Sequence, residues 1–191
     1  MVTISNKIKK APYTALYPVP AVLVTCADEN LKPNVITIAW TGTVNSVPPM
    51  VYVSVRPDRF SYKLIKETGE FVINVPSAGI VKEVDFCGMN SGRDVDKFAA
   101  TGLTPLPAAV VKAPLIKECP VNIECQVKQV IELGSHHMFI GEIVSVHIDQ
   151  DSLNQKGQVD MDLAKAVSYC AGEYRGVDLI IGTHGYSRRS R

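Results

Sequence analysis

Apolar and polar positions change period along the chain, and the changes mark out its elements. AVLVTCA (21–27) is an unbroken apolar run ended by Asp28–Asn30, which predicts a buried strand followed by a turn. NVITIAW (34–40) alternates and is β-branched, which predicts the second strand of a hairpin. Pro48-Pro49 opens a further strand, MVYVSV (50–55), and Pro57-Asp58 stops it. Asp58 is placed to cap a helix over RFSYKLIKETG, where Phe60, Leu64 and Ile65 fall near helical spacing and Gly69 ends the run. FVINV (71–75) is again a strand, and 79–88 and 94–100 have helical patterns. VNIECQVKQVIEL (121–133) and HMFIGEIVSVHID (137–149) are long strands joined by a short turn at Gly134-Ser135. The basic tail after Gly182 (THGYSRRSR) reads as a solvated end.

The sum is six or seven strands, many joined as hairpins, with short helices inserted. Doubly wound strand–helix alternation is absent, so an antiparallel β-barrel is expected. The 191 residues show no internal repeat and no Gly-, Ser- or Pro-rich linker, so residues 1–191 are expected to form one domain.

Composition narrows the partners. Twenty basic and 19 acidic residues give a formal charge of +1, which argues against nucleic acid or an anionic membrane as the main partner. No apolar stretch reaches the length of a membrane span. The N-terminus MVTISNKIKKAP has a basic cluster with no apolar run after it, which argues against a secretory signal. The five cysteines (Cys26, Cys87, Cys119, Cys125, Cys170) include no C-x-x-C and are expected as buried or half-buried thiols of a reducing cytoplasm. No ligand spacing points to a metal.

Nucleotide-binding fingerprints are also absent. There is no G-x-G-x-x-G, no G-x-x-x-x-G-K-[ST] and no G-x-S-x-G. A phosphate-bearing cofactor would need scattered groups, and the sequence offers them after the third strand. Arg56 ends that strand, Arg59 follows, and Ser61 and Tyr62 fall in the first helical turn. Free N–H groups at a helix start and a guanidinium fork make a phosphate cradle. The same residues also read as surface charges and a helix cap, and the residues alone leave both readings open.

Several motifs in order carry a resemblance. P-N-V-x-T-x-A-W, P-P-x-V-x-V-S-V-R, R-x-S-Y, F-V-I-N-V-P and S-G-R-D-x-D-K-F run from about Val19 to Phe98. The chain resembles the flavin reductase-like family, which includes flavoredoxin and other FMN-binding split-barrel proteins. The resemblance continues more loosely through His136–Gly141 to the C-terminal region. It implies a mainly β fold, an FMN-binding split β-barrel with short inserted helices. It also implies a homodimer with FMN sites near the subunit interface.

The site residues that follow are those the resemblance implies. Asn34 and Thr37 supply polar contacts to the flavin, with Ala39, Trp40 and Thr41 along the ring edge. Trp40 is the chain's one tryptophan. It reads either as an aromatic wall beside the flavin or as a core or interface anchor, and the motif favours the wall. Ser54, Val55 and Arg56 match a second flavin-lining strand, and Ser61 matches a phosphate position. Asn74 either bonds the ribityl chain or satisfies a turn. Ser91 and Lys97 belong to the S-G-R-D-V-D-K-F motif, with Arg93 and Asp94 shaping its loop. Lys97 would stabilise negative charge on the reduced flavin, against a reading as a solvated lysine paired with Asp94 or Asp96. His136 and His137 match a region near the cofactor. Strand alternation allows one of them to face it, and His137 is included in the set. Tyr169 and Tyr174 match a segment that supplies an aromatic, Tyr169 to the flavin and Tyr174 to core packing. Cys87 reads as structural.

Three functional readings remain. One is an NAD(P)H-dependent flavin reductase, with NADH or NADPH as co-substrate. Another is a flavoredoxin-like electron carrier with a redox protein partner and no direct NAD(P)H activity. The third is a split barrel that binds without redox chemistry. Together Trp40, Arg56, Ser61 and Lys97 argue against the third.

Overall fold

Twelve strands and four short α-helices succeed one another in the computed structural model, which describes residues 6–177 and 179–188. The first half carries β1 (Val19–Pro20), β2 (Val22–Ala27), β3 (Pro33–Ile38), β4 (Thr41–Ser46), β5 (Pro49–Val55), α1 (Phe60–Thr68), β6 (Glu70–Val75) and α2 (Val81–Met89). The second half carries α3 (Lys97–Thr101), β7 (Pro105–Leu106), β8 (Leu115–Ile116), β9 (Val121–Glu132), β10 (His137–Ile148), α4 (Met161–Ala164), β11 (Val167–Cys170) and β12 (Glu173–Gly176).

Seven strands form one antiparallel sheet in the order β3-β2-β6-β9-β10-β5-β4. Its two edge strands are consecutive in sequence, with only Ala39 and Trp40 between Ile38 and Thr41. Three peptide units span at most about 11 Å, so the sheet must curl until its edges meet. The Ser54 N–H donates to the Trp40 carbonyl at 2.9 Å, which carries the β4–β5 ladder one residue into that connection. The result is the mainly β barrel with short inserted helices that the pattern predicts.

β2 is buried along its whole length, which explains its unbroken apolar run. Val22, Val24 and Cys26 face the barrel interior with Val53, Phe71 and Phe139. Leu23 faces a second cluster with Val35, Val84, Cys87 and Phe98, built between β2–β3 and the helices α2 and α3. This second layer packs α2 over β3. At Gly141 in β10 a Cβ would lie 2.7 Å from the Phe71 ring, so only glycine lets that ring close the interior.

One local expectation is corrected, and strands occur in two segments that carry no strand pattern. Asp58 does not cap α1: Arg59 holds the N-cap position with no side-chain bond, and Asp58 faces solvent within 3.4 Å of Arg56. Gly69 does end the helix, at φ 68°. β4 is a strand although its TGTVNS sequence is polar, because it is an exposed edge whose partner β5 supplies the ladder. The segment after 150 contributes β11 and β12, which pair with β1 in a separate three-stranded sheet.

The cysteines conform to the thiol reading. Cys26, Cys87, Cys119 and Cys125 are buried, Cys170 is half-buried, and all five are free. Residues 183–188 of the tail are exposed. Among the described residues, no helix is long and apolar enough to cross a membrane.

Candidate functional site

A cavity of about 490 Å³ opens at the barrel seam. β3 and the seam give its floor, Ile36, Thr37, Ile38 and Ala39, while β5 adds Ser54, Val55 and Arg56. One wall is Trp40 packed against His136, with ring centroids 4.5 Å apart and the ring planes tilted by 43°. The opposite wall is Tyr169 and Tyr174 from β11 and β12, whose rings meet edge to face at 5.7 Å. Burial lowers the pKa of His136, and the neighbouring Arg56 adds to this, so the imidazole is neutral at neutral pH.

The cavity runs past Ile36, Arg59 and Gly88 into a second, more polar pocket of about 310 Å³. Arg59, Ser61, Ser91, Arg93 and Lys97 line this pocket. Ser61 Oγ accepts from Asn34 Nδ2 at 2.7 Å. Ser91 Oγ accepts from the Arg93 N–H at 3.2 Å, and the Arg93 guanidinium donates to the Asp58 carbonyl at 3.0 Å. Gly92 sits where a Cβ would strike the Asn34 side chain and come within 2.9 Å of Phe60, so the loop can lie this low only as glycine.

Lys97 is the unusual member. It is only 4% exposed, and its ammonium donates to the carbonyls of Val35 at 2.8 Å and Cys87 at 2.7 Å. Among the described residues no carboxylate reaches it within salt-bridge distance. The nearby thiols of Cys26 and Cys87 are each pushed up to about 11, chiefly by burial, and stay neutral. Burial lowers the Lys97 pKa. A buried cation without an anion is costly, and an anionic ligand in the adjoining pocket would relieve that cost. An aromatic slot leading to a cationic pocket thus suits a flat ring system carrying a negatively charged tail.

Residues 14–178 match the flavin reductase like domain. The chain belongs to the flavin reductase-like family. A flavoredoxin structure from Desulfovibrio vulgaris (Miyazaki F) superposes with a TM-score of 0.88 at 36% identity, covering 95% of this chain and all of that one (100%). A flavoredoxin structure from Methanosarcina acetivorans gives a TM-score of 0.89 at 30% identity, covering 97% and 99%. An uncharacterized protein of Archaeoglobus fulgidus is 36% identical over 147 residues, 77% of this chain and 81% of that one.

Within this flavin reductase-like barrel the anticipated residues separate into groups. Thr37, Ala39, Trp40, Ser54, Val55, Arg56 and Tyr169 line the aromatic cavity, and Ser61, Ser91 and Lys97 line the polar pocket. Asn34 stands behind Ser61 as its donor. Thr37 shows a floor position but a spent hydroxyl, which donates to the Val84 carbonyl.

Three residues lie elsewhere. Asn74 is fully buried between β2, β8 and β9, bonded to Leu23, Ile116 and Asn122, because the meeting of strands there needs a polar bridge. Thr41 donates to the Tyr52 carbonyl at 2.6 Å and lines neither cavity. His137 points away, with Nδ1 2.8 Å from the Tyr62 hydroxyl, and His136, the residue just before β10, lines the cavity instead. Lys97 is not the solvated alternative, and Tyr174 is a cavity wall as well as a packing residue.

Sequence reasoning missed Asp85, Gly88 and Met89 of α2, which border the cavity. Their i, i+3, i+4 spacing places them on one helix face, and that was the available signal.

Proposed function

We propose that the cavity and its polar extension hold FMN and that the chain is a flavoprotein oxidoreductase of the flavin reductase and flavoredoxin type. The observation that carries this reading is Lys97, a buried ammonium with no carboxylate partner among the described residues, beside a polar pocket that shares Ile36, Arg59 and Gly88 with the aromatic slot. Bound FMN would supply the redox step, taking up a hydride or electrons from a donor and passing them on. The residues bind and shape that chemistry. Ser61, Ser91, Arg59, Arg93 and Lys97 form the anion-binding end. Trp40 with His136, and Tyr169 with Tyr174, exclude water from the ring site. His136, being neutral, offers a hydrogen bond without a charge.

NADH, NADPH or a redox protein is the electron donor in this reading. The similarity to flavoredoxins along nearly the whole chain favours the carrier branch. An absorbance spectrum of the purified protein, followed by anaerobic NADH and NADPH, tests the assignment. Flavin bands that bleach with a pyridine nucleotide identify a reductase. Bands that bleach only with dithionite identify a carrier. No flavin, and none taken up from added FMN, overturns the reading.

The assembly in this reading is a homodimer. Apolar side chains on the N-terminal arm are uncovered, Leu16 at 85% and Tyr13 at 72% exposure, and they border a groove of about 530 Å³ that shares Ala39, Trp40 and Ser54 with the cavity. Light scattering on the eluted protein should give twice the chain mass, and a monomer would refute it.

A further inference from the structure

The hairpin of β11 and β12 forms one wall of the aromatic cavity; Val167 is buried at its root, and Tyr174 packs on the cluster beneath α2. The hairpin pairs with β1 in a sheet separate from the seven-stranded one. At its root the Ala78 N–H donates to the Lys165 carbonyl at 2.8 Å, and Ser77 bridges Ala166. Its turn passes through Ala171 at φ 51° and Gly172 at φ 98°. Among the described residues, the side-chain bonds of 167–176 include Ser168 to the Arg175 carbonyl and Arg175 to Glu173, both internal. The Tyr174 hydroxyl, which donates to Asp85 Oδ1 at 3.3 Å, makes the side-chain bond that leaves the hairpin.

Asp85 rides on α2, which is anchored by the fully buried Val84 and Cys87 on either side of it. Tyr174 packs against the same cluster from the hairpin and is the register partner of Tyr169 on the neighbouring strand. The Tyr174 ring meets Tyr169 edge to face, and on its other side Tyr169 meets Tyr17 of the N-terminal arm at 6.4 Å. A shift of Tyr174 therefore moves Tyr169, which faces the cavity.

We infer that the Asp85–Tyr174 hydrogen bond is a tie that holds the hairpin to α2 and sets the position of the Tyr169 ring against the bound ligand. Both are positioning residues, and the identity of the ligand rests on the flavin reading. The Tyr174 phenol is pushed up to about 12 by burial and by Asp85, so it stays a donor at neutral pH. One such bond changes an open-to-closed ratio by about fivefold.

The test uses the full chain as Tyr174→Phe, Asp85→Asn and Asp85→Leu. Amide exchange of residues 167–176 is followed without ligand, and flavin fluorescence is followed during FMN titration. Tyr174→Phe and Asp85→Leu should exchange about fivefold faster there, and their bound flavin should be brighter because Tyr169 quenches it less. Asp85→Asn keeps an acceptor oxygen and should retain wild-type exchange and quenching. Wild-type values for both signals in Tyr174→Phe and Asp85→Leu would overturn the tie. So would Asp85→Asn behaving as Asp85→Leu, since charge rather than a hydrogen bond would then act. If wild-type protein takes up no FMN while Tyr174→Phe still exchanges faster, the flavin reading fails and the tie stands.

Discussion

Replacing Lys97 by Met tests the anion-binding end most directly. The side chain keeps its apolar reach, so the packing of α3 against β3 survives. Two opposing changes act on the fold. The carbonyls of Val35 and Cys87 lose the donor at 2.8 and 2.7 Å, costing about 1–3 kcal/mol each if left bare. Removing an ammonium buried without a carboxylate offsets part or all of that. Thermal stability should therefore change little. Ligand binding has no such offset. A hydrogen bond to a charged group contributes about 1.5–3 kcal/mol, so FMN affinity should fall roughly 10- to 150-fold. The pH dependence gives an independent reading. Burial holds the Lys97 pKa below 10.5 in the free protein, and a bound anion would raise it. Binding then takes up protons, so affinity is greatest where Lys97 is already charged and falls as pH rises through its free-protein pKa. Titration by flavin fluorescence from neutral pH up to 10.5 should show this decline in wild-type protein, and Lys97→Met should lose the part due to Lys97. Equal affinity and an equal slope in the two proteins would refute the placement of the anion site.

Other substitutions separate the site from the scaffold. Trp40→Ala should weaken FMN binding or shift its potential with the melting temperature nearly unchanged, because Trp40 is 39% exposed and packs on His136 rather than in the core. A cooperative loss of folding on melting would instead mark it as an anchor. Tyr62→Phe removes the 2.8 Å bond to His137 and should cost about 1 kcal/mol, or about 2–4 °C in Tm, measured by calorimetry. Glu124→Gln should cost about 3 kcal/mol, since the buried carboxylate accepts from the N–H groups of Ala109, Val110 and Val111 and pairs with His147 at 2.6 Å. Burial alone would raise the Glu124 pKa, but His147 and those backbone donors outweigh it and hold the pKa below 4.5. The stabilisation is present above 4.5 and is lost as pH falls through the lower folded value, so the melting-temperature gap between wild type and Glu124→Gln should close in acid.

Legibility in the sequence followed the physics of each segment. β2, β9 and β10 could be read because burial imposes its own apolar pattern over many residues. β4 could not, since an exposed edge strand draws its hydrogen bonds from β5 and leaves little trace in its own side chains. The same distinction divides the site. Trp40, Arg56, Ser61 and Lys97 sit in motifs whose order was visible, and each lines one of the two connected cavities. Asn74 sits in a motif too, but its amide is consumed by strands that are remote in sequence, bonding Ile116 and Asn122. A motif marks which residues matter without saying whether they face a ligand or the protein. For Lys97 even the environment was misleading from sequence, because three charged neighbours, Arg93, Asp94 and Asp96, suggest a solvated loop. Its burial arises from α2 and β3 closing over it, a contact between residues 62 and 10 positions away. The aromatic wall depends on still longer separations, with Asp85 and Tyr174 lying 89 residues apart. Polar pairs of that kind obey no local period, so the parts of the site that position a ring are the parts a linear pattern cannot carry.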